Sequence, residues 1–273
     1  MTPTLSQDEI RRYSRHLLLR DVGGPGQQKL KAARVLCVGA GGLGSPIIEY
    51  LAAAGVGTLG LVDDDVVSLS NLQRQVVHSS ANVGRLKVES AAERVAALNP
   101  NVTTELFPVR LDSDNIADIV DRFDVVVDGT DNFPTRFLVA DTAYALGKPL
   151  VSAAVQEFYG SVTTLQPYLT DDNGQPEPSW RCLMPREPDG NVPTCSEVGI
   201  LGAVVGVLGT LAACEVLKLI TGVGKPLLGR LLMVDIRDMQ IDTIGYRRRP
   251  DTVIPTAKGR QPAAGSASTP PEQ

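Results

Sequence analysis

Gly39, Gly41 and Gly44 stand at G-x-G-x-x-G spacing in VGAGGLGSP, behind the apolar run RVLCV and ahead of a helix-like stretch. Glycines so placed let a backbone approach phosphate oxygens, and the helix that follows offers N–H groups and a partial positive charge. Asp63 ends the next apolar run, 24 residues beyond Gly39, where a carboxylate can accept hydrogen bonds from both hydroxyls of a ribose. The competing reading is a glycine turn that only packs helix on sheet; the strand–turn–helix context favours the nucleotide. These residues indicate an adenosine-containing ligand without saying which.

The segment after Asp63 separates a dinucleotide from a triphosphate. SLSNLQRQVVH, residues 68–78, sets Asn71, Gln73 and Arg74 just past the strand end, and Lys87 enters the next helix after Gly84. Glycine backbone and helix dipole largely satisfy two phosphates. A triphosphate attacked at its α-phosphorus must release pyrophosphate, and that leaving group needs fixed cations, for which the planar fork of arginine is suited. Arg74 and Lys87 can converge beyond the α-phosphate, with Asn71 and Gln73 as neutral donors. Either cation alone would be read as solvated; their joint placement beside the glycines favours function. DGTDN, residues 128–132, closes another apolar run and so puts Asp131 at the carboxyl ends of the strands, where open parallel sheets bind ligands. A hard carboxylate there suits Mg2+, while Asn132 is expected to cap the following helix.

The order RYSRH, GAGGLG, DDD, SNLQRQ, GRLK, DGTDN and a late TCSE resembles the ubiquitin-activating-enzyme-like family, from about residue 8 to about residue 248. The resemblance implies ATP-dependent adenylation of the C-terminal glycine of a ubiquitin-like sulfur-carrier protein with a Gly-Gly tail. It implies Gly42 at the phosphates, Asp63 on the ribose, Ser70, Asn71, Leu72, Gln73 and Arg74 along the ATP, Lys87 on the phosphates, and Asp131 as Mg2+ ligand beside Asn132. It matches Arg15 to an arginine that enters the partner subunit's ATP site, which makes the working unit a homodimer. Cys195, at the start of an apolar helix whose dipole favours a thiolate, matches a cysteine that in some members forms a thioester or takes part in sulfur transfer; the alternative is a small residue packed under a loop. Many relatives hold zinc with two C-x-x-C pairs. Here the first is Ser179-Trp180-Arg181-Cys182 and RRRPDTVIP contains no cysteine, so no zinc is expected.

Molybdenum-cofactor, thiamine and tRNA-thiolation carriers share the tail chemistry, and SNLQRQ with its following helix leans toward the molybdopterin branch. Two other readings compete. An NAD(P)-dependent oxidoreductase would need an acid or base, for which only His16 and His78 offer themselves. An inactive scaffold that binds a ubiquitin-like protein has no need of Arg15, Arg74, Lys87 and Asp131.

The elements that must position these side chains follow from the hydrophobic pattern. Ser6 and Glu9 form an S-x-x-E capping box that opens a helix over residues 6–20, with Ile10, Tyr13 and Leu17 inward and Arg11, Arg12 and Arg15 outward. Strand and helix patterns then alternate to about residue 155, which predicts an α/β fold: a doubly wound, mostly parallel Rossmann-like sheet. GSVTTLQP, RLLMVDI and MQIDTIGYRR predict an antiparallel C-terminal extension, after a long loop over 167–195. The expected organisation is one adenylyltransferase domain over 1–248, with a nucleotide-binding half at 30–155 and a carrier-binding and dimer half at 156–248. The tail 249–273 has little to bury and is expected to be disordered.

Composition excludes some classes. With 43% hydrophobic residues, 21% charged and a net charge of −5, the chain has no basic stripe for a phosphate backbone, so nucleic acid is not expected as a partner. The N-terminus lacks the apolar core of a signal peptide, which predicts the cytoplasm. GILGAVVGVLGTLAAC, residues 199–214, is bounded by Glu197 and Glu215 and is shorter than the roughly 20 apolar residues of a membrane span. It reads as a buried helix, with Gly202 and Gly206 at GxxxG spacing suited to a subunit interface. Cys37 and Cys214 are expected in the core.

Overall fold

The computed structural model describes residues 3–171, 173–188, 198–250 and 252. Its sheet has eight strands: β1 (Arg34–Val38), β2 (Thr58–Val62), β3 (Thr103–Phe107), β4 (Val125–Asp128), β5 (Leu150–Gln156), β6 (Tyr159–Leu165), β7 (Arg230–Asp235) and β8 (Gln240–Gly245). They lie in the order β3-β2-β1-β4-β5-β6-β7-β8. The first five run parallel, and β6, β7 and β8 are added antiparallel.

Helices cover both faces of the parallel part, which is why β1 and β4 are almost continuous apolar runs rather than alternating ones. In β1, Val35 and Cys37 join one core with α4 (Gly44–Ala54), α5 (Lys87–Leu98) and α9 (Gly202–Thr221). Leu36 and Val38 join a second core on the opposite face, with α6 (Ile116–Asp121) and α7 (Phe133–Ala145). The remaining helices are α1 (Gln7–Arg12), α2 (Ser14–Leu17), α3 (Gly23–Ala32) and α8 (Trp180–Leu183).

The single N-terminal helix expected over 6–20 is two pieces. The Ser6–Glu9 capping box starts α1, but Tyr13 turns inward between α1 and α2. Its ring fills the space beside Gly55, and its hydroxyl accepts from Asn99 Nδ2 at 2.8 Å. Tyr13 is thereby buried while Ile10, expected on the same face, stays exposed.

Helix α9 is only half covered. Val204, Leu208, Ala212 and Val216 face the sheet, while Ala203, Val207 and Cys214 point outward, so Cys214 is exposed rather than in the core. At 20 residues and mean hydropathy 2.0 it is long and apolar enough to cross a membrane, contrary to the shorter length expected, yet it lies across α4, β5 and β6. Buried Glu215 anchors it, accepting from Thr164 Oγ1 at 2.6 Å and from the Leu227 N–H at 2.7 Å. Gly202 sits against the Gln73 carbonyl, while nothing approaches Gly206.

The segment 179–182 meets the chain at Thr252. Cys182 Sγ lies 3.5 Å from Ser179 Oγ and 3.6 Å from Thr252 Oγ1. Burial pushes the thiol's pKa up, but hydrogen bonds from the Arg249 backbone, Ser179 and Thr252 outweigh it, and the net shift is downward. Cys182 is thus flanked by two hydroxyls, those of Ser179 and Thr252.

Candidate functional site

A cavity of about 280 Å³ opens at the carboxyl ends of β1 to β5. Its floor is the turn between β1 and α4. Gly39 has φ +93°, a conformation that L side chains rarely adopt, and a Cβ on Gly44 would overlap the Gly39 carbonyl oxygen. Gly42 is close to α9, where a Cβ would stand 2.8 Å from Val205 Cγ1; Gly41 is freer, its nearest neighbour being Gln75 Nε2 at 3.5 Å. Gly39, Gly41 and Gly42 line the cavity, and Gly44 closes the turn into the helix.

Asp63 leaves β2 into the same space. It accepts from the Ala40 N–H at 2.8 Å and from the Asp65 N–H at 3.0 Å. Burial raises its pKa, against the lowering effect of Lys87 and these bonds. Lys87, itself buried, holds Asp65 at 2.7 Å and Asp63 at 3.8 Å. Three carboxylates, those of Asp63, Asp64 and Asp65, come within 4.8 Å of one another, so Lys87 offsets part of a concentrated negative charge.

Of the segment 70–74, only Arg74 lines the cavity. Its Nη1 donates to the Ser70 carbonyl at 3.1 Å, leaving the rest of the guanidinium fork without a protein partner among the described residues. Asn71 instead accepts from the Ser68 N–H at 3.3 Å and closes a short 3-10 turn, Leu69–Asn71, that delivers Arg74. Ser70, Asn71, Leu72 and Gln73 therefore stand beside the cavity rather than in its wall. Asp131 lines it with a carboxylate that has no partner among the described residues, while Asn132 caps α7 by accepting from Thr135 N–H at 3.0 Å.

Neither histidine offers an acid or base at the cavity. His78 Nε2 faces the Ala40 carbonyl at 2.9 Å and Nδ1 faces Ser90 Oγ at 2.9 Å. Because a carbonyl only accepts, Nε2 carries the proton, and burial keeps the ring's pKa low. His78 is a strut between the glycine turn and α5. His16, bonded to Gln27 at 3.0 Å, does not line the cavity.

Arg15 is exposed on α2, does not line its own chain's cavity and has no partner among the described residues. Cys195 lies outside the described residues, as does most of the tail beyond 248. Sequence reasoning missed Gln75, Arg110 and Arg136, all in the cavity wall. For Arg136 a signal existed: an arginine four residues after Asn132 returns, one turn into α7, to the loop that Asn132 ends.

Residues 13–253 match the ThiF family. The SAMP-activating enzyme E1 of Haloferax volcanii is 48% identical over 255 residues, covering 93% of this chain and 92% of that protein. The sulfur carrier protein adenylyltransferase of Thermus thermophilus is 47% identical, with 90% of each chain covered. The probable adenylyltransferase/sulfurtransferase MoeZ of Mycobacterium tuberculosis is 47% identical over 91% of this chain, which spans 63% of that longer protein. Among solved structures, E. coli MccB with MccA-N7isoASN superposes with a TM-score of 0.77 at 20% identity, over 92% of this chain and 75% of that one, a likeness of fold. With the family matched over most of its length and near-full-length relatives at this identity, the chain belongs to the ThiF family.

Proposed function

We propose that this chain is an ATP-dependent adenylyltransferase that activates the C-terminal glycine of a ubiquitin-like sulfur-carrier protein. The observation that carries the reading is the convergence, in one cavity, of the glycine turn, Asp63, Lys87, and the Arg74 fork and Asp131 carboxylate that remain open among the described residues. The relatives named as a sulfur carrier protein adenylyltransferase and as a SAMP-activating E1 support it. The engagement of both His78 ring nitrogens counts against hydride chemistry.

In this reading a carrier carboxylate oxygen bonds to the α-phosphorus as the bond to the β-phosphate bridging oxygen breaks, giving an acyl-adenylate and pyrophosphate. A C-terminal carboxyl, with pKa near roughly 3.5, is already ionised at neutral pH, so no general base is required. The obstacle is bringing one anion onto another. Arg74 and Lys87 neutralise phosphate charge as it shifts to the leaving group, and the glycine N–H groups fix the phosphates. The carboxylate of Asp131, without a partner among the described residues, fits Mg2+, which when bound adds charge neutralisation at the phosphates.

The homodimer belongs to the same proposal. Arg15 is exposed and has no partner among the described residues, and α9 presents Ala203, Val207 and Cys214 outward. A partner subunit covering these would let Arg15 complete the neighbouring site. The 30–155 half would then hold ATP, and the 156–248 half the carrier and the partner. Cys195, no bound zinc, the cytoplasm and a molybdopterin-type carrier remain parts of this reading. The deciding experiment is ATP–pyrophosphate exchange with purified Gly-Gly carriers added one at a time: exchange with one carrier and none without it is expected, and no exchange with any of them would defeat the proposal.

A further inference from the structure

Arg136 is 6% exposed and sits one turn into α7, where its side chain reaches back to the loop that leaves β4. Its Nη2 donates to the Thr130 carbonyl and, at 2.8 Å, to the Ala153 carbonyl on β5. Its Nη1 stands 3.9 Å from Asp128 Oδ2 and has no hydrogen-bond partner among the described residues. Asp128, 1% exposed, accepts through Oδ1 from the Thr130 N–H at 2.9 Å and the Thr130 hydroxyl at 2.7 Å. Thr130 is therefore gripped from both sides, its N–H and hydroxyl by a carboxylate and its carbonyl by a guanidinium. The peptide unit fixed in this way leads directly into Asp131.

A buried pair this far apart adds little net stability, because both charges were removed from water and no hydrogen bond joins them. What it specifies is one geometry of the loop, tied across to β5. We infer that Arg136 is a positioning residue for Asp131: it holds the Thr130–Asp131 peptide so that the Asp131 carboxylate is presented to the metal of a bound nucleotide. Among the described residues no hydrogen bond or ion pair orients the Asp131 carboxylate, so the backbone that carries it sets its direction. The inference rests on the Mg2+–ATP reading of the cavity and assigns a role to a residue that reading does not use.

The test is calorimetric titration of ATP into the full chain with and without Mg2+, for the wild type, Asp131→Ala, Arg136→Met and the double variant Asp131→Ala/Arg136→Met. In the wild type Mg2+ strengthens ATP binding. Asp131→Ala removes that increment, and Arg136→Met reduces it by about 10- to 100-fold, the range found when residues behind metal ligands are lost. Because both act through one carboxylate, the double variant is no worse than Asp131→Ala alone. Arg136→Met leaves Asp128 buried without its partner, so Asp128→Asn/Arg136→Met, which removes both charges, is measured beside it and is expected to lose the increment as well. An increment lost in Asp131→Ala but kept in both Arg136 variants overturns the inference alone, as does additivity in the double variant. A wild type whose ATP affinity ignores Mg2+ overturns the reading of the cavity and the inference with it.

Discussion

Arg74 and Asp131 face one cavity with charge to spare, and the chemistry proposed for them is electrostatic. Removing one group that stabilises transition-state charge typically costs about 100- to 1,000-fold in kcat. Arg74→Ala and Asp131→Ala are each expected to lose that much carrier-dependent ATP–pyrophosphate exchange while melting close to the wild type, since both side chains are solvated at the cavity. Asp63 adds a pH dependence. Burial places its pKa above the ordinary carboxylate value, so its ionised form is lost as pH falls through that raised pKa. ATP affinity should therefore start to weaken at a higher pH than a free aspartate, at about 3.9, would impose, and Asp63→Asn should abolish the dependence.

At the scale of elements, the glycines make different demands. Gly44→Ala puts a methyl into the Gly39 carbonyl and should destroy the turn and ATP binding together, whereas Gly41→Ala meets only a movable amide and should keep the fold. On α9, a Cβ at Gly209 would strike Pro46 and the Leu43 carbonyl of α4 and its N-cap, but Gly206 faces open space. Gly209→Ala should destabilise by about 1–3 kcal/mol, as overpacked sites do. Gly206→Ala should be neutral or gain about 0.5–1 kcal/mol from helix propensity in the isolated subunit. Urea unfolding midpoints distinguish the two. The GxxxG spacing of Gly202 and Gly206 did not reveal that Gly202 meets the Gln73 carbonyl while Gly206 meets nothing, because spacing alone does not say which glycine meets another backbone.

At the scale of the whole molecule, the proposed homodimer can be tested. If Arg15 works in trans, mixing Arg15→Ala with Asp131→Ala subunits creates dimers with one intact composite site, and activity should return to about one quarter of wild type after random reassortment in a two-fold dimer. Mixtures as inactive as their parents would place Arg15 outside the reaction. The contacts that join Cys182 to Ser179 and Thr252 should hold the C-terminal segment without metal: the purified protein should contain no stoichiometric zinc, and a chelator should leave its melting temperature unchanged.

The amino-acid sequence by itself determined the alternating α/β order, the glycine turn, the Asp63 and Asn132 positions and the antiparallel end of the sheet. Each of these depends on local rules: side-chain period, glycine conformation and capping geometry act over a few residues. Tertiary structure alone decided that Asn71 braces a turn while Gln75 enters the cavity wall, that His78 is a strut, that Cys214 faces outward and that Arg136 grips the loop before Asp131. Those outcomes depend on contacts between segments far apart in the chain, such as Ala40 with His78 and Arg136 with Ala153, and no periodicity within either segment encodes where its partner will be.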